Sequence, residues 1–168
     1  MFKTSDGEDI FVIDAHIHLW DARPENQRNV HGAQFINCFH DYQKGLSPEE
    51  YHWPAEKFQY YGADTLYEDV FVNGYADMAI CQPTYLKEFY VNGFNTTEQN
   101  AVLRDKYPNQ VLLNGAFDPR DGEPGLDALT ELVEAYKVTG VKLYTAEWHG
   151  DSKGYKLTDP WARRYLEH

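Results

Sequence analysis

Ile10-Phe11-Val12-Ile13-Asp14-Ala15-His16-Ile17-His18-Leu19-Trp20 is the stretch on which the fold turns. It is β-branched and aromatic, and in an extended chain alternate side chains point to opposite faces. Phe11, Ile13, Ala15, Ile17 and Leu19 then make one wholly apolar face. Val12, Asp14, His16 and His18 share the other, with the polar residues gathered toward its C-terminal end. An apolar side that needs a helical layer and a polar side ending in ionisable groups read as a parallel strand with a site at its end.

Outward from that strand, Asp21 to Tyr61 shows no clean period and holds Phe35, Phe39, Tyr42, Tyr51, Trp53, Phe58, Tyr60 and Tyr61. An irregular excursion of roughly 40 residues is uncommon inside a domain unless it covers a site, so 21–61 reads as an aromatic lid inserted after strand one. A short helix from Ala63 to about Asn73 is followed by a strand from Ala76 to Gln82 that Pro83 ends. A second aromatic loop carries Tyr85, Phe89, Tyr90 and Phe94. Asn95-Thr96-Thr97-Glu98 looks like a helix cap with an acidic residue three positions on, opening a helix to about Tyr107. The same residues match a glycosylation acceptor pattern, which lacks a secretory signal to support it. Val111 to Phe117 is the third strand. Leu126, Leu129, Leu132, Val133 and Tyr136 fall on one helix face. Gly140 then begins the strand Val141-Lys142-Leu143-Tyr144-Thr145-Ala146-Glu147-Trp148, and Thr158-Asp159-Pro160-Trp161 caps a last helix.

Strands alternating with helices give an α/β fold of about four βα units. A doubly wound sheet would show a Gly-rich turn after strand one, where His18-Leu19-Trp20 stands instead. The remaining closure is a (β/α)8 TIM barrel of roughly 250 residues, with its site at the strand C-termini. The 168 residues form a single domain, 1–168, that corresponds to the first half of such a barrel and is cut short. A half-barrel has two open edges and uncovered apolar faces, so self-association into a homo-oligomer is expected.

With 42% hydrophobic and 25% charged residues the chain has material for a globular core, which excludes a disordered or fibrous class. No run approaches the roughly 18 apolar residues of a membrane span, and no apolar core follows Lys3 as a signal peptide requires, so the reading is soluble and cytoplasmic. A formal charge of −12 repels phosphate backbones and anionic lipid, which argues against nucleic acid and membrane as partners. Cys38 and Cys81 have no metal spacing and read as free, buried thiols.

Two histidines one residue apart on a strand point the same way with Cα atoms about 7 Å apart, so both imidazoles can reach one ion. Asp14, on the same face, is placed to orient one ring from the second shell of such a site. Cys38, His40 and Asp41 lie close enough in sequence for a second metal site. His31, His52 and His168 have no partner pattern, and His149 falls in a loop.

The strand Val12 to His18 and the βα units after it resemble the amidohydrolase superfamily, specifically its amidohydrolase-2 branch of aminocarboxymuconate-semialdehyde decarboxylase-like metal-dependent hydrolases. Asn114-Gly115-Ala116-Phe117-Asp118-Pro119-Arg120 and Gly140-Val141-Lys142-Leu143-Tyr144 extend the likeness to strand four. The resemblance implies that His16 and His18 ligate a divalent metal, most often zinc. It places the remaining ligands, histidines of strands five and six and an aspartate of strand eight that is the general base, beyond His168. It also implies three readings of Lys142: a carboxylated bridge between two metals, a contact to a substrate carboxylate shared with Tyr144, or a structural charge pair. The aromatic excursions suggest an aromatic or planar acid as substrate, or else simply pack the lid or an interface. The function implied is a metal-dependent hydrolase using a metal-activated water. The alternatives are a metal-dependent non-oxidative decarboxylase and a non-catalytic barrel fragment.

Overall fold

A computed structural model of the chain describes residues 1–145 and 154–168. Ala146, Glu147, Trp148 and His149, read above as strand end and loop, lie outside the described residues. Four parallel strands form one curled sheet in the order β1 (Ile13–Ile17), β2 (Met78–Cys81), β3 (Val111–Phe117) and β4 (Gly140–Leu143). Chain neighbours are sheet neighbours at every step. A doubly wound sheet reverses its strand order at a switch point, whereas a barrel winds in one direction, so this is half of a (β/α)8 barrel.

Burial alternates strictly along β3, with Val111, Leu113, Gly115 and Phe117 buried. These residues face the helical layer. Ile17, Leu19, Ala79, Cys81, Val111 and Leu113 pack there against Leu66, Ala101 and Leu103. Burial pushes the Cys81 thiol up to about 12, so it stays protonated and unreactive. Phe117 joins Leu126 and Leu129 in a second group that reaches Val141, Leu143, Trp161 and Tyr165. By alternation the opposite, inward face carries His16 and His18 of the first strand segment, Gln82 just past β2, Asn114 of β3 and Lys142 and Tyr144 at β4.

The cover is uneven. Ile17 and Leu19 are buried, but Phe11 is 56% and Ile13 53% exposed, because β1 is an edge and the helical layer reaches only its C-terminal half. Preceding it, Phe2–Lys3 and Asp9–Ile10 pair as a small antiparallel ribbon.

The segment 21–61 is far more regular than its sequence suggests. It contains α1, a 17-residue helix over Val30–Leu46 capped by Asn29, whose side chain accepts the His31 N–H. Its buried face runs through Gly32, Ile36 and His40. Phe89 O would lie 2.7 Å from a Cβ at position 32, so glycine is required where helix and loop cross. Ile36, Phe58, Leu86, Tyr90 and Phe94 form a satellite core with Trp20, Phe35, Phe39, Trp53 and Phe89 around it. A ribbon of Trp20–Asp21 with Tyr60–Tyr61 closes the neck of the segment.

The return to the sheet runs through α2 (Ala63–Tyr67) and a π-helical turn at Glu68–Val72. The cap of α3 (Thr97–Lys106) falls one residue later than expected: Thr96 accepts the Gln99 N–H and Gln99 reaches back to the Thr96 N–H. Asn95 is fully buried, which closes it to glycosylation. Leu126 and Leu129 of α4 (Gly122–Tyr136) are buried as their period requires, while Val133 is exposed. The last helix, α5, spans Pro160–Glu167. Among the described residues no helix is long and apolar enough to cross a membrane.

Candidate functional site

The imidazoles of His16 and His18 converge at the C-terminal end of β1, with Nε2 atoms 2.9 Å apart and rings edge to face. His18 Nδ1 lies 2.7 Å from the backbone oxygen of Gln82. A carbonyl can only accept, so Nδ1 carries the ring proton and Nε2 is left with its lone pair. The proton between the two Nε2 atoms then belongs to His16, and that ring ligates a metal through Nε2 only as its other tautomer, with the proton on Nδ1.

The Gln82 oxygen also accepts from Asn95 Nδ2 at 2.9 Å. Asn95 is itself locked by Asn100 Nδ2, which donates to its Oδ1 at 2.8 Å. Burial, then the charge of Lys142, lowers His18 to about 4 against the opposing pull of the Gln82 carbonyl. The ring is therefore neutral near pH 7, the form in which imidazole ligates a metal.

Asp14 takes a different place from the one its spacing suggests: its Oδ1 accepts the backbone N–H of His16 at 3.0 Å, and so holds the main chain rather than a ring. Lys142 Nζ lies 3.4 Å from Thr84 Oγ1 and 5.2 Å from the centre of the Tyr144 ring. Tyr144 OH meets the same Thr84 hydroxyl at 3.2 Å. Among the described residues no carboxylate pairs with Lys142, so the charge-pair reading of this lysine finds no partner there.

Beside this edge of the site lies a cavity of about 420 Å³, lined among others by Thr84, Leu86, Ala116, Phe117, Leu132 and Tyr144. Neither histidine lines it, whereas Thr84 and Tyr144, the two neighbours of Lys142, both do.

The second metal site considered at Cys38, His40 and Asp41 does not form. Residues two apart on a helix face away from one another. His40 is buried, with Nε2 donating to Trp53 O at 2.7 Å, whereas Cys38 is exposed and not the buried thiol anticipated. The aromatic residues of the two excursions chiefly pack one another: Trp20 stacks on Tyr61 at 4.8 Å and Phe35 meets Phe94 at 5.2 Å. His31, His52 and His168 bond Gln34, Ser47 and Thr130.

Gln82, Thr84, Asn95 and Asn114 were not singled out by spacing. Asn114 Nδ2 donates to Gln82 Oε1 at 2.9 Å, joining the third strand to the histidine strand through one side chain. The signal available was an amide at an inward position of an otherwise apolar strand, which has to find a partner when buried.

A zinc ion bound to one nitrogen of each ring at about 2.0–2.1 Å requires those nitrogens within about 4.2 Å of each other. The 2.9 Å separation satisfies that, so the two rings fit as part of a ligand set. Among the described residues no group of three or more His, Cys, Asp or Glu side chains gathers to complete it.

The sheet is of the barrel type and carries an imidazole pair on its inward face, at the strand C-termini. The amidohydrolase family model (amidohydrolase-2) matches residues 13–167, and the chain belongs to that family. An uncharacterized TIM-barrel protein from Bordetella bronchiseptica has a similar fold, with a TM-score of 0.58, 16% sequence identity, and coverage of 92% of this chain and 50% of that one. The chain thus spans half the length of that barrel. No curated protein sequence matches it.

Proposed function

We propose that the chain supplies the imidazole part of a metal-dependent hydrolase site acting on a small carboxylated organic substrate. The observation that carries this reading is the convergence of the two Nε2 atoms at 2.9 Å, with His18 held in the ligating tautomer by Gln82. When bound, a divalent ion, zinc foremost, supplies Lewis acidity and lowers the pKa of a water toward neutrality. His16 and His18 hold the ion, and the neutral state of His18 leaves its lone pair available at physiological pH. Lys142 offers a cation to a substrate carboxylate, while Thr84 and Tyr144 orient that end by hydrogen bonding. The adjoining cavity takes the apolar remainder of the substrate.

Lys142 also favours a second reading, non-oxidative decarboxylation, in which the anchored carboxylate is the reacting group. Elemental analysis of zinc-grown protein tests the metal reading: the chain is expected to retain metal that a His16→Ala/His18→Ala variant loses, and equal content in both would sink it. Assays of amide and lactone hydrolysis beside release of carbon dioxide from carboxylated aromatics, run on a complete barrel, separate the two reactions.

A further inference from the structure

β1 departs from regular pairing where the first histidine stands. Asp14 pairs with Ala79 and Ile17 with Cys81, three steps along β1 against two along β2, and Ala15 and His16 have no register partner. An extra residue of this kind is a β-bulge, which bends the strand and re-aims the side chains beside it. Its backbone groups still need partners. Here side chains provide them: the His16 N–H donates to Asp14 Oδ1 at 3.0 Å, and Gln82 Nε2 donates to the Ala15 C=O at 3.1 Å.

Gln82 grips the same strand through its main chain as well. Its N–H donates to Ile17 O at 3.0 Å and its C=O accepts the His18 Nδ1–H at 2.7 Å. One residue therefore holds β1 on both sides of His16. Asn114 in turn holds the Gln82 side chain by donating to Oε1, which leaves Nε2 facing the Ala15 oxygen. That fixes the amide orientation and makes the donor to the bulge an outcome of the third strand's sequence.

We propose that Gln82, with Asp14, is a positioning residue: together they clamp the bulged Ala15–His16 peptide and so aim the His16 ring at His18. The inference rests on the metal reading for its functional meaning, but its first test involves no metal. In chelator-treated, isotope-labelled protein, the carbon-bound ring protons of His16 and His18 are expected to show mutual NOEs, since the ring centres are 4.7 Å apart. Those NOEs are expected to disappear in Gln82→Ala and Gln82→Glu, while the His18 Nδ1 proton, held by the Gln82 main chain, survives in both.

The glutamate variant keeps the side-chain length and the acceptor toward Asn114 but sets a carboxylate oxygen against the Ala15 oxygen. It keeps the question answerable if the alanine variant does not fold. Zinc titration followed on the same ring signals is expected to give a Kd raised about 10- to 100-fold in either variant, the usual effect of losing a residue that orients a ligand. Retained ring NOEs in a folded variant would overturn the proposal, whatever zinc does. A wild-type chain with the NOEs and the variant effect but no zinc uptake would refute the metal reading and support the positioning role.

Discussion

Replacing Gly140 with alanine tests whether the inward amide network is as tightly built as its distances imply. A Cβ at position 140 would lie 2.6 Å from Asn114 Oδ1 and 3.2 Å from its Cγ, so Asn114 has to move. Moving it breaks the 2.9 Å bond to Gln82, a loss of about 1 kcal/mol, and crowding in a packed sheet adds about 1–3 kcal/mol. Restricting the unfolded chain returns about 0.4–1 kcal/mol. The net expectation is a destabilisation of about 2 kcal/mol, or about 4–8 °C in Tm for a chain of this size.

Thermal melts by circular dichroism read this directly. The decisive comparison repeats Gly140→Ala in an Asn114→Ala background, where the obstructing amide is gone and the substitution should be neutral or stabilising. Equal cost in both backgrounds would refute the argument, because the penalty would then not come from the contact between the two residues.

The pH dependence of stability should carry a contribution from His18. Its folded value of about 4 lies below the usual 6.5, so between those limits the unfolded chain takes up a proton the folded chain refuses, and stability falls as pH drops through that window. At about pH 5 the linkage amounts to roughly 1–2 kcal/mol after allowance for partial exposure of the ring. Urea midpoints at neutral and acid pH should therefore diverge less in a His18→Gln variant than in wild type, and parallel losses would count against the assignment. Tyr90→Phe removes the hydroxyl that donates to Gly32 O at 2.8 Å inside the satellite core and should cost about 1 kcal/mol in urea melts. Thr96→Ala removes the cap of α3, and its midpoint should fall by about 1 kcal/mol; an unchanged midpoint would mean the cap is not formed in solution.

The barrel strands were legible because each is a short, mostly apolar run bounded by proline, glycine or polar residues, as Pro83 after β2 and Asp118-Pro119 after β3 show. The histidine pair was legible because period-two spacing is enough to put both rings on one face. The helix α1 was not, because its buried stripe includes Gly32 and His40 while Val30, Tyr42 and Leu46 stand exposed, so hydrophobicity and burial do not coincide along it. Asp14 illustrates a different limit. Its carboxylate takes the free backbone N–H of the bulge at Ala15–His16, and a bulge is a property of two strands that one strand's spacing does not reveal. Gln82, Asn95 and Asn114 come from separate strands and loops, and only topology brings them together.

The neck formed by Trp20–Asp21 and Tyr60–Tyr61 has a wider consequence. Its two sides are one ladder rung apart, so whatever lies between residues 22 and 59 leaves and re-enters the barrel through the same doorway. The entropy of closing a connection grows only slowly with its length, so what holds this segment to the host is chiefly the packing of Ile36 and Phe58 against Tyr90 and Phe94. Trp20 and Tyr61, stacked across the neck, join the satellite core on one side to the helical layer on the other. The segment thus stands as a bay of its own beside the barrel: a change inside it is felt first in the satellite core, while β1, its bulge and the two imidazoles are held by other contacts.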